Sequence, residues 1–467
     1  MLPTSNRLIR NGFRAVRLAA FAALSAVALA AAAASRAAAQ GSAATPIDTV
    51  LELATFDSVW TRIQRTYYDS TMRGIDWPAV RNELRPRVAR ARSRAEVRTT
   101  ITEMLARLGE SHFAVLPGAV LGDSIPSPAA TDRAGDSGME VRLLDERLIV
   151  TRVDPSGPAA QAGVAAGWTI DRIGSTDVAP LIEALGTVTG ERERRIAAIR
   201  LNLRLIAELT GAAGSRLSLV ARDERDVARP HDLVRREAPG QAVQLGALPT
   251  MLIRLEQERV QQGSGCAGVI RFNMFMPPIA APFEDAIGAL RNCSGIVLDL
   301  RGNLGGVAAM VMGLAGYFFD EQVRLGELRL RGSELRYTAN PRRVSRHGVR
   351  TETYSGPVAI LVDELSASTT EIFAAALQHL SRARVFGVPS AGQALPALLM
   401  RLPNGDGLMY VIADFVAPGG RRLEGQGVVP DERVAITRAG LLSGSDEPLL
   451  AALRWIGSER GRSTPVP

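Results

Sequence analysis

The stretch PVAILVDELSASTTEIFAAALQHL, residues 357–380, decides the fold. Its opening, PVAILVD, is a short unbroken apolar run of the kind found in parallel strands buried on both faces. Its close, TTEIFAAALQHL, reads as a helix. The joint between them, LSASTTEI from Leu365 to Ile372, is a strand-to-helix turn. Ser368 falls at the helix N-cap, and Glu371 three residues on closes a capping box. That accounts for Ser368 without chemistry. The position also admits a chemical account: a serine on such a turn is exposed, and neighbouring amides can stabilise an oxyanion.

Working outward, GVIRF, GIVLDL and RVFGV are further short apolar runs. Helical patterns at 282–291, 306–319 and 369–380 separate them, which predicts a layered α/β domain over residues 239–460. DLRGNLGG, Asp299 to Gly306, sits at a strand end ahead of the 306–319 helix. Its glycines let backbone amides approach a ligand, and a helix N-terminus there favours negative charge.

Upstream, residues 45–110 read as helices. Phe56, Trp60, Ile63 and Tyr67 share one face, Pro78 suits a first turn, and Ser93 with Glu96 forms a capping box. Gly109 ends the last of these helices. Glu110-Ser111-His112 follows in a loop, where a histidine is accessible for chemistry. From about residue 131 the pattern changes to alternating strands, MEVRLL, RLIVTRV and RLSLVAR, with a helical stretch at 178–209 placed between strands as an insertion.

Composition removes several chemistries. The chain has 467 residues, so two or three domains are expected. All 55 basic residues are arginine. No Ser–Lys dyad, P-loop lysine or Schiff base is therefore available, since arginine does not deprotonate in proteins. Four His and two Cys leave no zinc site of four thiolates, and no metal-ligand spacing occurs. No cofactor is called for. The formal charge is +7, but residues 1–39 hold Arg7, Arg10, Arg14, Arg17 and Arg36 and no acid. Without them 50 basic residues face 48 acidic ones, and nothing points to nucleic acid as a partner.

The same N-terminal segment reads as an address. Arginines precede the apolar run Leu18 to Ala34, and Ala37 and Ala39 occupy A-x-A positions, which predicts a secretory signal peptide over residues 1–39 cleaved after Ala39. An uncleaved anchor is the alternative. No other stretch approaches spanning length. In an oxidising compartment Cys266 and Cys293, each just ahead of an apolar run, either pair as a disulfide or remain buried thiols.

Two sets of motifs carry a family resemblance. Ser137-Gly138-Met139-Glu140-Val141, then Pro158 to Val164, then Gly167 to Gly174 resemble a PDZ domain. That resemblance implies a domain over 131–238 binding an extended peptide by strand addition, with Ser137 to Val141 holding the terminal carboxylate. Trp168 stands where the PDZ pattern has aspartate. In order, YYD, DW, ESH, the PDZ-like part, DLRGNLGG, SASTTEI and LEGQGVVPD resemble the C-terminal processing peptidases and the tricorn core peptidase, over roughly residues 52–456. The resemblance implies a ClpP/crotonase-like α/β catalytic core, an N-terminal helical region over 40–125 and a PDZ-like β domain.

The resemblance also implies roles. The nucleophile is Ser368. The lysine of the Ser–Lys branch is replaced by Gln393 in GVPSAGQ, whereas the tricorn-like branch uses a histidine from a Ser-His pair and a glutamate, here Ser111-His112 and Glu424. Ser368 would attack a peptide carbonyl. His112 would serve as base, oriented by Glu424 with or near Ser111, and the amides of Gly306 or Gly305 and of Thr369 would hold the oxyanion. The expected activity is an exported serine endopeptidase, periplasmic or secreted, acting on protein or peptide substrates. A non-catalytic peptide-binding relative is the alternative. Oligomeric state is not legible.

Overall fold

The computed structural model describes residues 47–121, 134–245, 248–263 and 265–463. The expected signal peptide, 1–39, lies outside the described residues.

The largest core is built on a six-stranded sheet. Its order is Leu255–Gln262, Gly265–Phe272, Ile296–Asp299, Val358–Val362, Arg384–Gly387 and Glu432–Arg433. The first pair is antiparallel and every later pair parallel. Helices Ala280–Leu290, Met310–Ala315 and Thr369–His379 cover one face and helix Glu447–Ser463 the other. Strand residues alternate between the two layers: Val358 and Ile360 join the first core, Ala359 and Leu361 the second. Both faces are dry, so PVAILV is continuously apolar. Cys266 on its strand and Cys293 on the neighbouring connection are joined by a disulfide.

Two differences from the sequence reading matter for the site. The helix expected over 306–319 is confined to Met310–Ala315, so Gly305 and Gly306 lie in a loop rather than at a helix N-terminus. A three-stranded antiparallel sheet, Ser333–Ala339, Val323–Leu330 and Ala413–Val416, adds a layer that the sequence reading did not include.

Helices Thr49–Thr66, Trp77–Ala89 and Arg94–Ala106 bury Phe56, Ile63, Tyr67, Trp77, Leu84 and Ile101 against one another. Asp48, Asp76 and Ser93 accept backbone N–H groups at their three N-termini, as helix caps do. The bundle is not self-contained. Its core continues into Leu402, Leu408 and Tyr410, and strand Ala114–Leu116 pairs with Gly407–Val411. In chain order between bundle and core, strands Met139–Leu144, Arg147–Val153, Thr169–Ile173, Arg216–Arg222 and Ala228–Val234 form a separate antiparallel sheet with Met139–Leu144 at its edge. Helix Glu191–Leu209 packs on that sheet through Leu205 and Leu209.

Candidate active site

The parallel strands end in three adjacent loops, 300–309, 363–368 and 388–396. The crevice at the carboxyl ends of such strands is where open α/β sheets place their ligands. Asp363 ties two of these loops together. Its Oδ1 accepts the N–H groups of Gly302 at 2.8 Å and Leu365 at 3.1 Å.

Ser368 caps helix Thr369–His379 with φ 59° and ψ −120°. This is strained backbone for a non-glycine residue, worth on the order of 1–3 kcal/mol, and such strain clusters at functional sites. Surrounding bonds hold it. Ser368 N–H donates to the Gln393 carbonyl at 2.8 Å and to Glu371 Oε2 at 3.0 Å. Thr369 Oγ1 donates to the Gly306 carbonyl at 2.8 Å. Gly305 passes so close that a Cβ there would meet Ser368 Cβ at 2.7 Å and Thr369 N at 2.8 Å.

Glu371 does more than cap. Its buried carboxylate also accepts Ser390 Oγ at 2.5 Å and the amides of Gly392 at 2.7 Å and Gln393 at 2.9 Å. It thereby fixes the third loop against the Ser368 turn. Burial pushes its carboxyl up to about 7, against the pull of those donors.

His112 stands at φ 62° just after the third N-terminal helix and is 6% exposed. Its Nδ1 lies 2.6 Å from Ser111 Oγ. Ser111 Oγ donates to Glu424 Oε2 at 2.9 Å, and Ser111 N–H donates to Glu424 Oε1 at 2.9 Å. A hydroxyl has one proton, and a carboxylate only accepts. With the Ser111 proton on Glu424, Nδ1 must be the protonated nitrogen, and the lone pair falls on Nε2. Nε2 is buried and has no hydrogen-bond partner among the described residues. Burial pushes the imidazole down to about 3, so it is neutral near pH 7. Burial also raises the Glu424 carboxyl, while donors from Ser111 and Ala394 oppose the rise.

One peptide unit links the two halves. The Gln393 carbonyl accepts Ser368 N–H, and the N–H of the same peptide, on Ala394, donates to Glu424 Oε2 at 3.1 Å. Residues 110–112, 366–371, 390–394 and 424 thus form one bonded assembly.

Of the amides expected at an oxyanion, those of Gly306 and Thr369 have no hydrogen bond among the described residues. The Gly305 amide differs: it donates to Asn303 Oδ1 at 3.0 Å and is not available. Asn303 is itself fully buried, with Nδ2 on the Phe272 carbonyl at 2.8 Å.

The Ser137 to Val141 segment also departs from expectation. Gly138 N–H, expected to hold a carboxylate, donates to Asp136 Oδ1 at 3.0 Å, and the Ser137 carbonyl accepts Ala159 N–H at 3.0 Å. Met139, Glu140 and Val141 lie on the edge strand. Glu140 pairs with Arg271 at 2.6 Å. Beside this edge runs a groove of about 470 Å³, lined by Ser137, Met139, Val141, Ile206, Leu209 and Met251. From the same strand Arg142 forms a buried pair with Asp363 at 2.8 Å. Helix Glu191–Leu209 rests Ile199 and Leu203 on Leu304, Leu365, Ala367 and Ala391, covering the Ser368 loops from that side. Glu371, Asn303 and Asp363 are site residues whose positioning role the sequence reading did not anticipate.

Residues 267–434 match the model of peptidase family S41, and residues 54–106 match the tricorn protease C1 domain. The chain is 27% identical over 401 residues to the chloroplastic carboxyl-terminal-processing peptidase 2 of Arabidopsis thaliana, spanning 80% of this chain and 67% of that one. It is 25% identical over 403 residues to a carboxyl-terminal-processing protease of Synechocystis, spanning 84% of each. Among solved structures, the fold is similar to the photosystem II D1 C-terminal processing protease, with TM-score 0.53, 20% identity, and 85% of this chain and 98% of that one covered. It is also similar to mature CPAF complexed with lactacystin, with TM-score 0.54, 14% identity, and coverage of 88% and 98%. The chain thus carries a peptidase S41 domain over residues 267–434 and a tricorn C1 domain over residues 54–106, and its relatives are carboxyl-terminal-processing serine peptidases.

Proposed function

We propose that this chain is an exported serine endopeptidase that cleaves extracytoplasmic proteins through an acyl-enzyme on Ser368. The observation that carries the reading is Ser111 Oγ, which bridges His112 Nδ1 and Glu424 and leaves Nε2 as the acceptor. Ser368 Oγ attacks the substrate carbonyl as His112 Nε2 takes its proton. The Gly306 and Thr369 amides stabilise the oxyanion, each worth about 100- to 1000-fold in rate. His112 then protonates the leaving amine, and a water molecule repeats the sequence to release the acid. Glu424 stabilises the imidazolium through Ser111.

The edge strand Met139–Leu144 and its groove suit an extended peptide added to the sheet, as in PDZ recognition. Export is supported by the Arg-rich, apolar N-terminus and by the Cys266–Cys293 disulfide. The test is cleavage of an unfolded protein bearing either a free or an amidated C-terminus, by the chain from residue 40 onward. Internal cleavage that is lost in Ser368→Ala supports the reading, and faster cleavage with a free C-terminus supports PDZ-like recognition. No cleavage of either substrate, or equal cleavage by Ser368→Ala, overturns it.

A further inference from the structure

The catalytic reading uses Ser111 and His112 but leaves Glu110 unexplained. The Glu110 side chain is fully buried. Its carboxylate accepts four donors: the Tyr67 hydroxyl, the Tyr68 hydroxyl at 2.6 Å, Arg73 at 2.6 Å and Arg422 at 2.6 Å. Three separate segments meet there: the end of the first helix and its following turn, the loop carrying Ser111-His112, and the segment leading to Glu424. Arg422 also pairs with Asp414 at 2.9 Å and donates to the Tyr68 hydroxyl at 2.9 Å.

Glu110 precedes Ser111, and Arg422 stands two residues before Glu424. The Ser111–Glu424 bonds, both 2.9 Å, therefore connect the same two segments that the Glu110–Arg422 pair connects. We propose that Glu110 is a positioning residue for the peptidase: with Arg422 it registers the Ser111-His112 turn against Glu424, so that the imidazole keeps its tautomer and place. The proposal rests on the peptidase reading above. A buried ion pair is weak evidence for stability, and fixing a register is the better-attested use of one.

The charged groups around the joint are Glu110 and Asp414 facing Arg73 and Arg422, with Asp69 accepting Arg73 N–H at 3.0 Å on the outer side. Glu424 and its neighbour Arg192, 3.9 Å away, lie next to it. Glu110→Gln keeps the shape of the side chain and removes one negative charge from beside the Ser111–Glu424 pair. That loss disfavours the imidazolium, so the acid limb of kcat/KM moves to lower pH.

The experiment measures kcat, KM, the pH profile and fluorophosphonate labelling of Ser368 in wild type, Glu110→Gln and Arg422→Gln, with thermal unfolding alongside. Arg422 is about one-third exposed, so its variant tests the joint even where Glu110→Gln fails to fold. The expected result is a loss of about 10- to 100-fold in kcat, the range that removal of a hydrogen-bonding group behind a metal ligand costs. KM is unchanged and the acid limb shifts down in Glu110→Gln. Tyr68→Phe, which keeps both ions, loses far less. Wild-type kcat per folded molecule in both charge variants overturns the proposal, as does a loss that only tracks the unfolded fraction with an unmoved pH profile. Those outcomes leave the peptidase reading intact; that reading fails separately if wild-type Ser368 does not label or if His112→Ala labels equally.

Discussion

Replacing Gly305 by alanine places one methyl group against Ser368. Its Cβ would meet the Ala367 carbonyl oxygen at 2.7 Å, Ser368 Cβ at 2.7 Å and Thr369 N at 2.8 Å. Ordinary contacts begin near 3.4 Å, so these atoms must separate by about 0.7 Å. Two of the three are backbone atoms of the Ser368 turn, so the turn itself has to move. A misplacement of about 1 Å costs on the order of 100-fold in rate. Gly305 also sits at φ +95°, where a side chain adds strain of about 1–2 kcal/mol. Gly332→Ala separates the two effects, because Gly332 has φ +75° and nothing within 4 Å of its would-be Cβ. The assay is the second-order rate of fluorophosphonate labelling at Ser368, with thermal unfolding in parallel. Gly305→Ala is expected to label about 100-fold more slowly while still folding; Gly332→Ala is expected to lose comparable stability and label at the wild-type rate. Wild-type labelling in Gly305→Ala would refute the close packing of the glycine loop on the nucleophile.

Four further outcomes follow from the structure. Ser111→Ala removes the bridge between His112 and Glu424 and should lower kcat by about 10²- to 10⁴-fold with KM intact; an unchanged kcat would take Ser111 out of the relay. His112 is held below its ordinary 6.5, at about 3, by burial. Its imidazole therefore stays neutral as pH falls through 6.5, and labelling of Ser368 by a small probe should show no limb there. The fold disfavours the charged form, so this contribution to stability is complete above 6.5 and is lost as pH falls from 6.5 toward 3. Urea unfolding at pH 4.5 and 7.5 should accordingly show His112→Asn less acid-sensitive than wild type. Reduction of the Cys266–Cys293 disulfide, which closes a 27-residue separation, should remove about 3.5 kcal/mol of stability on a loop-entropy estimate, read as a lower urea midpoint; an unchanged midpoint would rule out that contribution.

How much of this was legible depends on how local the information was. The strand-turn-helix around Ser368 was plain, because a strand dry on both faces shows as an unbroken apolar run and the helix cap lies three residues from its partner. The Ser390 hydroxyl and the Gly392 and Gln393 amides that meet at Glu371 were not, since they come from another loop and nothing in TTEI announces them. The misassigned Gly305 amide did carry a local signal. Asn303 accepts from a backbone N–H two residues on, an Asx-turn, and Asn-Leu-Gly at 303–305 is a sequence for one. Asp136 does the same to Gly138, so the Asp-Ser-Gly at 136–138 already argued against a free carboxylate-binding amide. The helix expected at 306–319 shortens because the chain must first pass Gly306 beside Phe275, where a Cβ would meet the carbonyl oxygen at 2.3 Å. The hairpin Val323–Ala339 shows its alternation only weakly, its second strand being largely exposed.

The central claim is that Ser368 is a nucleophile activated by His112 Nε2, with the Ser111–Glu424 pair holding the imidazole from its Nδ1 side. The most direct test is fluorophosphonate labelling of the chain from residue 40 onward, with the adduct mapped by mass spectrometry in wild type, Ser368→Ala and His112→Ala. A single adduct on Ser368 that disappears in both variants is the predicted result. An adduct elsewhere, no adduct at any pH, or labelling of Ser368 at an undiminished rate in His112→Ala would contradict the account.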